Sequence, residues 1–139
     1  KLDSLLSAST NREIWKAVAP GGVTAGNLYV VATPEVIYDE TTKVTGALSN
    51  FRNAAGDPIT LLGVEVGDNL SVSIDCINVI DDTDDEPAVG NYLTPSATGT
   101  KWKEVTSIVA NEVFYGKIIA KELYKKDTYV YVIEMIKVR

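Results

Sequence analysis

The carboxyl-terminal third constrains the fold more than any other part of the chain. Val113 to Tyr124 and Thr128 to Val138 are two long runs rich in β-branched and aromatic residues, joined by Lys125-Lys126-Asp127, a connection of hairpin length and polarity. On the second run both alternating sets are largely apolar, with Tyr129, Tyr131, Ile133 and Met135 on one side and Val130, Val132, Ile136 and Val138 on the other. A solvent-facing edge strand does not carry such a pattern, so this strand is either central in the protein or covered by another subunit.

Strand signals dominate upstream as well. Leu70 to Ile80 alternates, with Leu70, Val72, Ile74, Cys76, Asn78 and Ile80 on the even face and Ser71, Ser73 and Asp75 opening the odd one. The even face is expected to point inward, which makes Cys76 a small core residue. Leu28 to Ala32, Glu35 to Tyr38, Ile59 to Val66, Asn91 to Leu93 and Val105 to Ala110 are shorter strand candidates. Turn formers at Gly46, Asn50, Asn53, Gly56, Asp57 and Pro58 mark a loop over 46–58, and Gly67-Asp68-Asn69 turns the chain again. With 139 residues, no heptad and no repeat, these signals predict a mainly β protein. The expected architecture is a single compact β-sandwich or barrel-like domain over residues 23–139.

Residues 1–22 read differently, as an amino-terminal arm. Leu2, Leu5 and Leu6 are interspersed with small polar residues. Thr10 and Glu13 have capping-box spacing, and Ile14, Trp15 and Val18 can share a face of one or two helical turns before Pro20-Gly21-Gly22. So short a helix needs packing to persist, so Ile14 and Trp15 require a cover from the chain's own core or from a partner.

The chain has no histidine and one cysteine, which removes Ser-His-Asp and Cys-His centres, His or multi-Cys zinc sites, haem histidines and iron–sulfur clusters. No cofactor and no enzymatic activity are expected. No apolar stretch is long enough to cross a bilayer and no secretory pattern opens the sequence, so a soluble protein without a membrane partner is expected. Charge is segregated: residues 1–20 are net +1, residues 21–100 net −10 and residues 101–139 net +3. Such asymmetry favours head-to-tail encounter between copies or with a charged scaffold, and it disfavours nucleic acid as a partner.

Asp81-Asp82-Thr83-Asp84-Asp85-Glu86 places five carboxylates in six residues. Oxygen ligands suit calcium, but an EF-hand loop begun at Asp82, with Asp84 and Glu86 third and fifth, meets Pro87 where glycine is required and Leu93 where the bidentate glutamate belongs. Asp82, Asp84 and Glu86 therefore stand as candidates for an irregular metal site, against the simpler reading of a solvated acidic loop. Tyr115, Tyr124, Tyr129 and Tyr131, with Trp102, are either an aromatic platform or cross-strand packing.

Three stretches carry a resemblance: Val23-Thr24-Ala25-Gly26-Asn27-Leu28-Tyr29-Val30; Val89-Gly90-Asn91-Tyr92-Leu93 with Ala97-Thr98-Gly99-Thr100; and Phe114-Tyr115-Gly116-Lys117-Ile118-Ile119-Ala120-Lys121 before a final strand. Together, over residues 23–138, they resemble small β-rich capsid decoration or head auxiliary proteins of tailed bacteriophages. The resemblance implies a non-enzymatic virion protein, assembled in the host cytoplasm, that docks on the capsid exterior and reinforces its lattice. Its implied partners are the major capsid protein and further copies of itself. On that reading Leu5, Leu6, Ile14 and Trp15 bind capsid, while Tyr115, Ile119 and Tyr131 face a sibling copy or the core. The alternatives are a β-sandwich module that binds carbohydrate through Tyr92, Trp102 and the acidic loop, with or without calcium, or another phage component such as a head fibre base or tail protein.

Overall fold

The computed structural model describes residues 1–9, 12–21, 28–32, 59–80, 86–125 and 128–138. The expected strand at Glu35 to Tyr38 and the loop at 46–58 lie outside these residues. The chain divides into two compact units, Lys1–Leu28 with Val64–Arg139, and Tyr29–Gly63. In the smaller unit, β3 (Val30–Ala32) pairs antiparallel with β4 (Thr60–Leu62). The predicted Ile59 to Val66 strand is thus limited to three residues.

The larger unit is mainly β, as its sequence predicts. β5 (Asn69–Ser73), β6 (Ile77–Asn78), β7 (Tyr92–Pro95), β8 (Trp102–Val105), β9 (Phe114–Lys125) and β10 (Thr128–Val138) form one sheet in the order β5-β10-β9-β7-β8-β6. The sheet curls into a half-barrel. The reason lies in the connection between its edges. β5 and β6 stand at opposite ends of the sheet, yet only a 3-10 turn at Ile74–Cys76 separates them in sequence. Such a turn advances about 2 Å per residue, so the two edges must come round to within a few residues' reach of each other.

That turn corrects the uninterrupted strand expected from Leu70 to Ile80. Val72 faces inward as predicted, but the turn changes the phase, so Ile77 is buried and Cys76 is exposed. Cys76 is therefore not a core residue. A second correction concerns β8: the strand occupies Trp102–Val105, not Val105 to Ala110. A Lys-Glu pair at its centre hides it from a hydrophobicity reading, because Glu104 is buried by hydrogen bonding rather than by apolar character.

The long hairpin forms as expected, and β10 is central, paired with β9 on one side and β5 on the other. Its two faces differ. Tyr131, Ile133 and Met135 are core residues, joined there by Val72, Ile77, Leu93, Phe114 and Ile118. Each such side chain contributes about 1.5–3 kcal/mol by burial. Across the sheet Ile133 lies opposite both Leu70 and Ile118, and Gly116 lies between Met135 and Leu93. The outer face carries the row Asn69, Glu134, Lys117, Tyr92 and Val105.

The amino-terminal arm is a separate two-stranded sheet, β1 (Leu2–Ser9) with β2 (Arg12–Ala17). Over Arg12–Ala17 the expected helical turns are replaced by strand, and Thr10 lies outside the described residues. The physical reason is the segment before β2: β1 offers the backbone of β2 a ladder partner along one edge, where a short, unpacked helix would be marginal. No helix among the described residues is long and apolar enough to cross a membrane.

Candidate functional site

β1 is eight residues long and β2 six, and the two extra residues are accommodated as irregularities between Leu2 and Ser4 and between Leu5 and Ser7. Asp3 and Leu6 are thus bulge residues. The bulges decide which side chains share a face. Leu2 lies opposite Ala17, Leu5 opposite Trp15 and Ala8 opposite Glu13, so a spacing of three in sequence becomes one face of a ribbon. The other face pairs Ser4 with Lys16, Ser7 with Ile14 and Ser9 with Arg12. One side is therefore mostly apolar and the other rich in serine and base.

The ribbon is closed at its base by two backbone bonds, Val18 N–H to the Lys1 carbonyl at 2.9 Å and the Lys1 nitrogen to the Val18 carbonyl at 2.8 Å. Trp15 Nε1 donates to Glu13 Oε2 at 3.0 Å, so the indole's polar atom is satisfied within the ribbon. Leu5, Leu6, Ile14 and Trp15 are 45%, 64%, 45% and 42% exposed. Four large apolar side chains on so small an element are a surface in want of a cover, since a lone two-stranded sheet is at best marginally stable in water. The structure brings Leu5 and Trp15 together as a cross-strand pair. It sets Ile14 on the opposite face.

The acidic loop is only partly described: Asp82 and Asp84 lie outside the described residues, and Glu86 is exposed. Glu86 forms an ion pair with Lys121, whose ammonium also sits 4.3 Å from the centroid of the Tyr129 ring. The bond to Glu86 raises the Lys121 pKa above the usual lysine value. The ends of the loop are fixed by Glu104, a residue that no sequence motif singled out. Its carboxylate, 3% exposed, accepts from Ile80 N–H at 3.2 Å, Ala88 N–H at 2.8 Å and Asn91 Nδ2 at 2.7 Å. Both oxygens are therefore committed to holding the two sides of one loop, and Pro87 is buried within it. The only sequence signal was position, an acid facing the same side of β8 as Trp102. Among the described residues no group of three His, Cys, Asp or Glu side chains is arranged to hold a metal ion.

The remaining sequence candidates separate. Tyr131 is 1% exposed, opposite Val72, so of the two surroundings expected for it the core is the one observed. Among the described residues its hydroxyl has no hydrogen-bond partner, and burial raises its pKa. Tyr115 lies half-buried on the outer face, edge-on to Tyr92 with ring centroids 6.1 Å apart. Trp102 stacks on Phe114 with centroids 5.8 Å apart. Because Tyr92 pairs with Val105 and Trp102 with Pro95 in unbroken register, Tyr92 and Trp102 lie on opposite faces and do not share a platform.

A regularity not legible beforehand links the exposed apolar residues. The β9–β10 register slips at three places, which leaves Tyr124, Ile119 and Ile136 as extra residues. They are 63%, 41% and 38% exposed. With Leu6 in β1, four large apolar side chains are turned out of the alternating pattern by bulges, which re-aim a side chain without disturbing the strand as a whole. No protein-family model matches the chain, and neither a curated protein nor a solved structure matches it.

Proposed function

We propose that this chain is a non-enzymatic virion structural protein that binds the outer surface of a tailed-phage capsid and stabilises the lattice, with the amino-terminal ribbon as its docking element. The observation that carries the reading is the ribbon's exposed apolar face, where Leu2, Leu5 and Trp15 align. A self-satisfied indole beside leucine side chains fits a dry, apolar partner surface. Repeated at many positions of a lattice, even a modest contact of this kind raises the cost of separating capsid subunits when each copy spans more than one of them. The resemblance to decoration proteins names the major capsid protein as that surface.

The test is co-sedimentation of the full chain with immature and expanded shells of its phage, beside a Leu5→Ser/Trp15→Ser variant. Saturable binding in a fixed ratio to capsid subunits, lost in the variant while its far-ultraviolet spectrum is unchanged, supports the reading. No binding to either shell overturns it, and equal binding by the variant removes the ribbon as the docking element.

A further inference from the structure

Residues 106–113 carry the chain from the end of β8 to the start of β9. Most of this connection faces solvent, with Val109 67% exposed and Ala110 and Asn111 exposed beside it. Glu112 is the exception. It is 7% exposed, and its Oε2 is sealed from solvent with no hydrogen-bond partner among the described residues. A surface connection has thus turned its one acid inward.

Glu112 also ties the connection together. Its N–H donates to the Val109 carbonyl at 3.0 Å, which closes a turn over residues 109–112, and its carboxylate accepts from the Val109 amide. Side chain and backbone of one residue hold the same turn, so a side chain that leaves takes one of the turn's bonds with it. The charge state decides whether it stays. A neutral carboxyl is buried at modest cost, whereas a carboxylate needs donors for both oxygens. The surroundings give the anion little. Among the described residues the charged group that acts on it is Lys103 of β8, which is exposed and makes no hydrogen bond to the buried oxygen. β7, the strand beside β8, has neither acid nor base, and Phe114, which opens β9, is buried and uncharged. Desolvation outweighs the Lys103 attraction and the Val109 bond, so the carboxyl holds its proton above the ordinary glutamate range.

We propose that residues 106–113 form a proton-operated strap, seated on the half-barrel while Glu112 is neutral and released from it when Glu112 ionises. Outside, the carboxylate gains the hydration that the seated turn denies it. Release also frees the half-buried Ile108, which adds to the apolar surface already shown by Val109. In the released strap Glu112 titrates as an ordinary glutamate, while in the seated strap it binds its proton more tightly. The opening constant is therefore flat below the ordinary pKa, rises about tenfold per pH unit between the two pKa values, and levels off above the raised one. No residue of the amino-terminal ribbon takes part, so the strap and the capsid-docking reading fail independently.

The experiment is amide hydrogen exchange of the full chain followed by NMR from about pH 4 to about pH 8, with rates corrected for the intrinsic pH dependence of exchange. The Glu112 amide reports on the strap, and the Ile118 amide, held by the Asn91 carbonyl at 2.8 Å, reports on the sheet. In the wild type the Glu112 opening constant should exceed that of Ile118, rise about tenfold per pH unit within the window, and stay unchanged in low urea, because a local release exposes little surface. The Ile118 opening constant should grow with urea. In Glu112→Gln, which cannot ionise, the rise with pH at residue 112 should vanish. A second readout needs no variant: the Glu112 carboxyl carbon of the wild type should titrate above the ordinary glutamate value, at the pH where opening levels off. A flat wild-type profile, a Glu112 amide that exchanges only with Ile118 and with the same urea dependence, a rise that persists in Glu112→Gln, or a carboxyl midpoint at the ordinary value overturns the proposal.

Discussion

Replacing Gly116 by alanine separates a backbone argument from a packing argument, because they predict opposite signs. Gly116 sits in the middle of the half-barrel, opposite Met135 on β10 and Leu93 on β7. Its backbone does not require glycine, so the conformational argument alone has alanine stabilising by about 0.4–1 kcal/mol through the unfolded state. The space above it decides otherwise. A Cβ there would collide with the Ile133 Cγ2 methyl and would meet the Glu134 carbonyl oxygen at 2.9 Å and the Met135 sulfur at 3.2 Å. A side-chain rotation can relieve the first contact but not the second, which is backbone of the central strand.

Overpacking of this kind costs about 1–3 kcal/mol, and a contact that the backbone must relieve belongs near the upper end. Setting that against the entropic gain leaves a net loss of about 2 kcal/mol. With a urea dependence of about 2 kcal/mol per molar, the unfolding midpoint of Gly116→Ala should fall by about 1 M. Gly99→Ala is the control, since a Cβ at Gly99 meets nothing within 4 Å, and its midpoint should hold or rise slightly. A Gly116→Ala midpoint equal to or above wild type would refute the packing argument, as would an equal loss in the control.

Three further outcomes follow from buried polar groups. Glu104→Gln should destabilise by about 1–3 kcal/mol, because an amide nitrogen must then face one of three donors, and hydrogen exchange at the Ile80 and Ala88 amides should accelerate well before global unfolding. Exchange unchanged at both positions would show that the carboxylate does not hold the loop. Tyr131→Phe should be neutral or stabilising by up to about 1 kcal/mol, since the hydroxyl it removes is buried without a partner; a clear loss in thermal melting would reveal a bond that this account lacks. Glu112 is buried with one carboxylate oxygen unpaired, and desolvation raises its pKa in the folded protein above the ordinary glutamate value. The folded state therefore holds this proton more tightly than the unfolded state. Its favourable contribution is full below the unfolded pKa and is lost as pH rises through the folded one. Urea titrations at several pH values should show that Glu112→Gln flattens stability across this window; an unchanged slope would place the titration elsewhere.

Whatever depends on local periodicity was readable from the residues. The β9–β10 hairpin and the mainly β class follow from runs long enough for strand signals to dominate, whereas both alternating sets of β10 are apolar in sequence and only the sheet decides that Tyr131, Ile133 and Met135 face inward. The exclusion of histidine and multi-cysteine chemistry needed only composition. The exposed apolar arm was legible as residues in need of a cover, though not as a strand pair.

The tertiary structure decided what depends on phase and on distant partners. A single extra residue reverses which side chains face inward, so the 3-10 turn exposed Cys76, and the bulges gathered Leu2, Leu5 and Ala8 on one face while turning out Leu6, Ile119, Tyr124 and Ile136. Sequence spacing carries no signal for such insertions, because their position is set by how two strands of unequal length share one ladder. Glu104 was hidden for a related reason: three donors up to 24 residues away make burial of a carboxylate possible, and they become neighbours only when the sheet has curled.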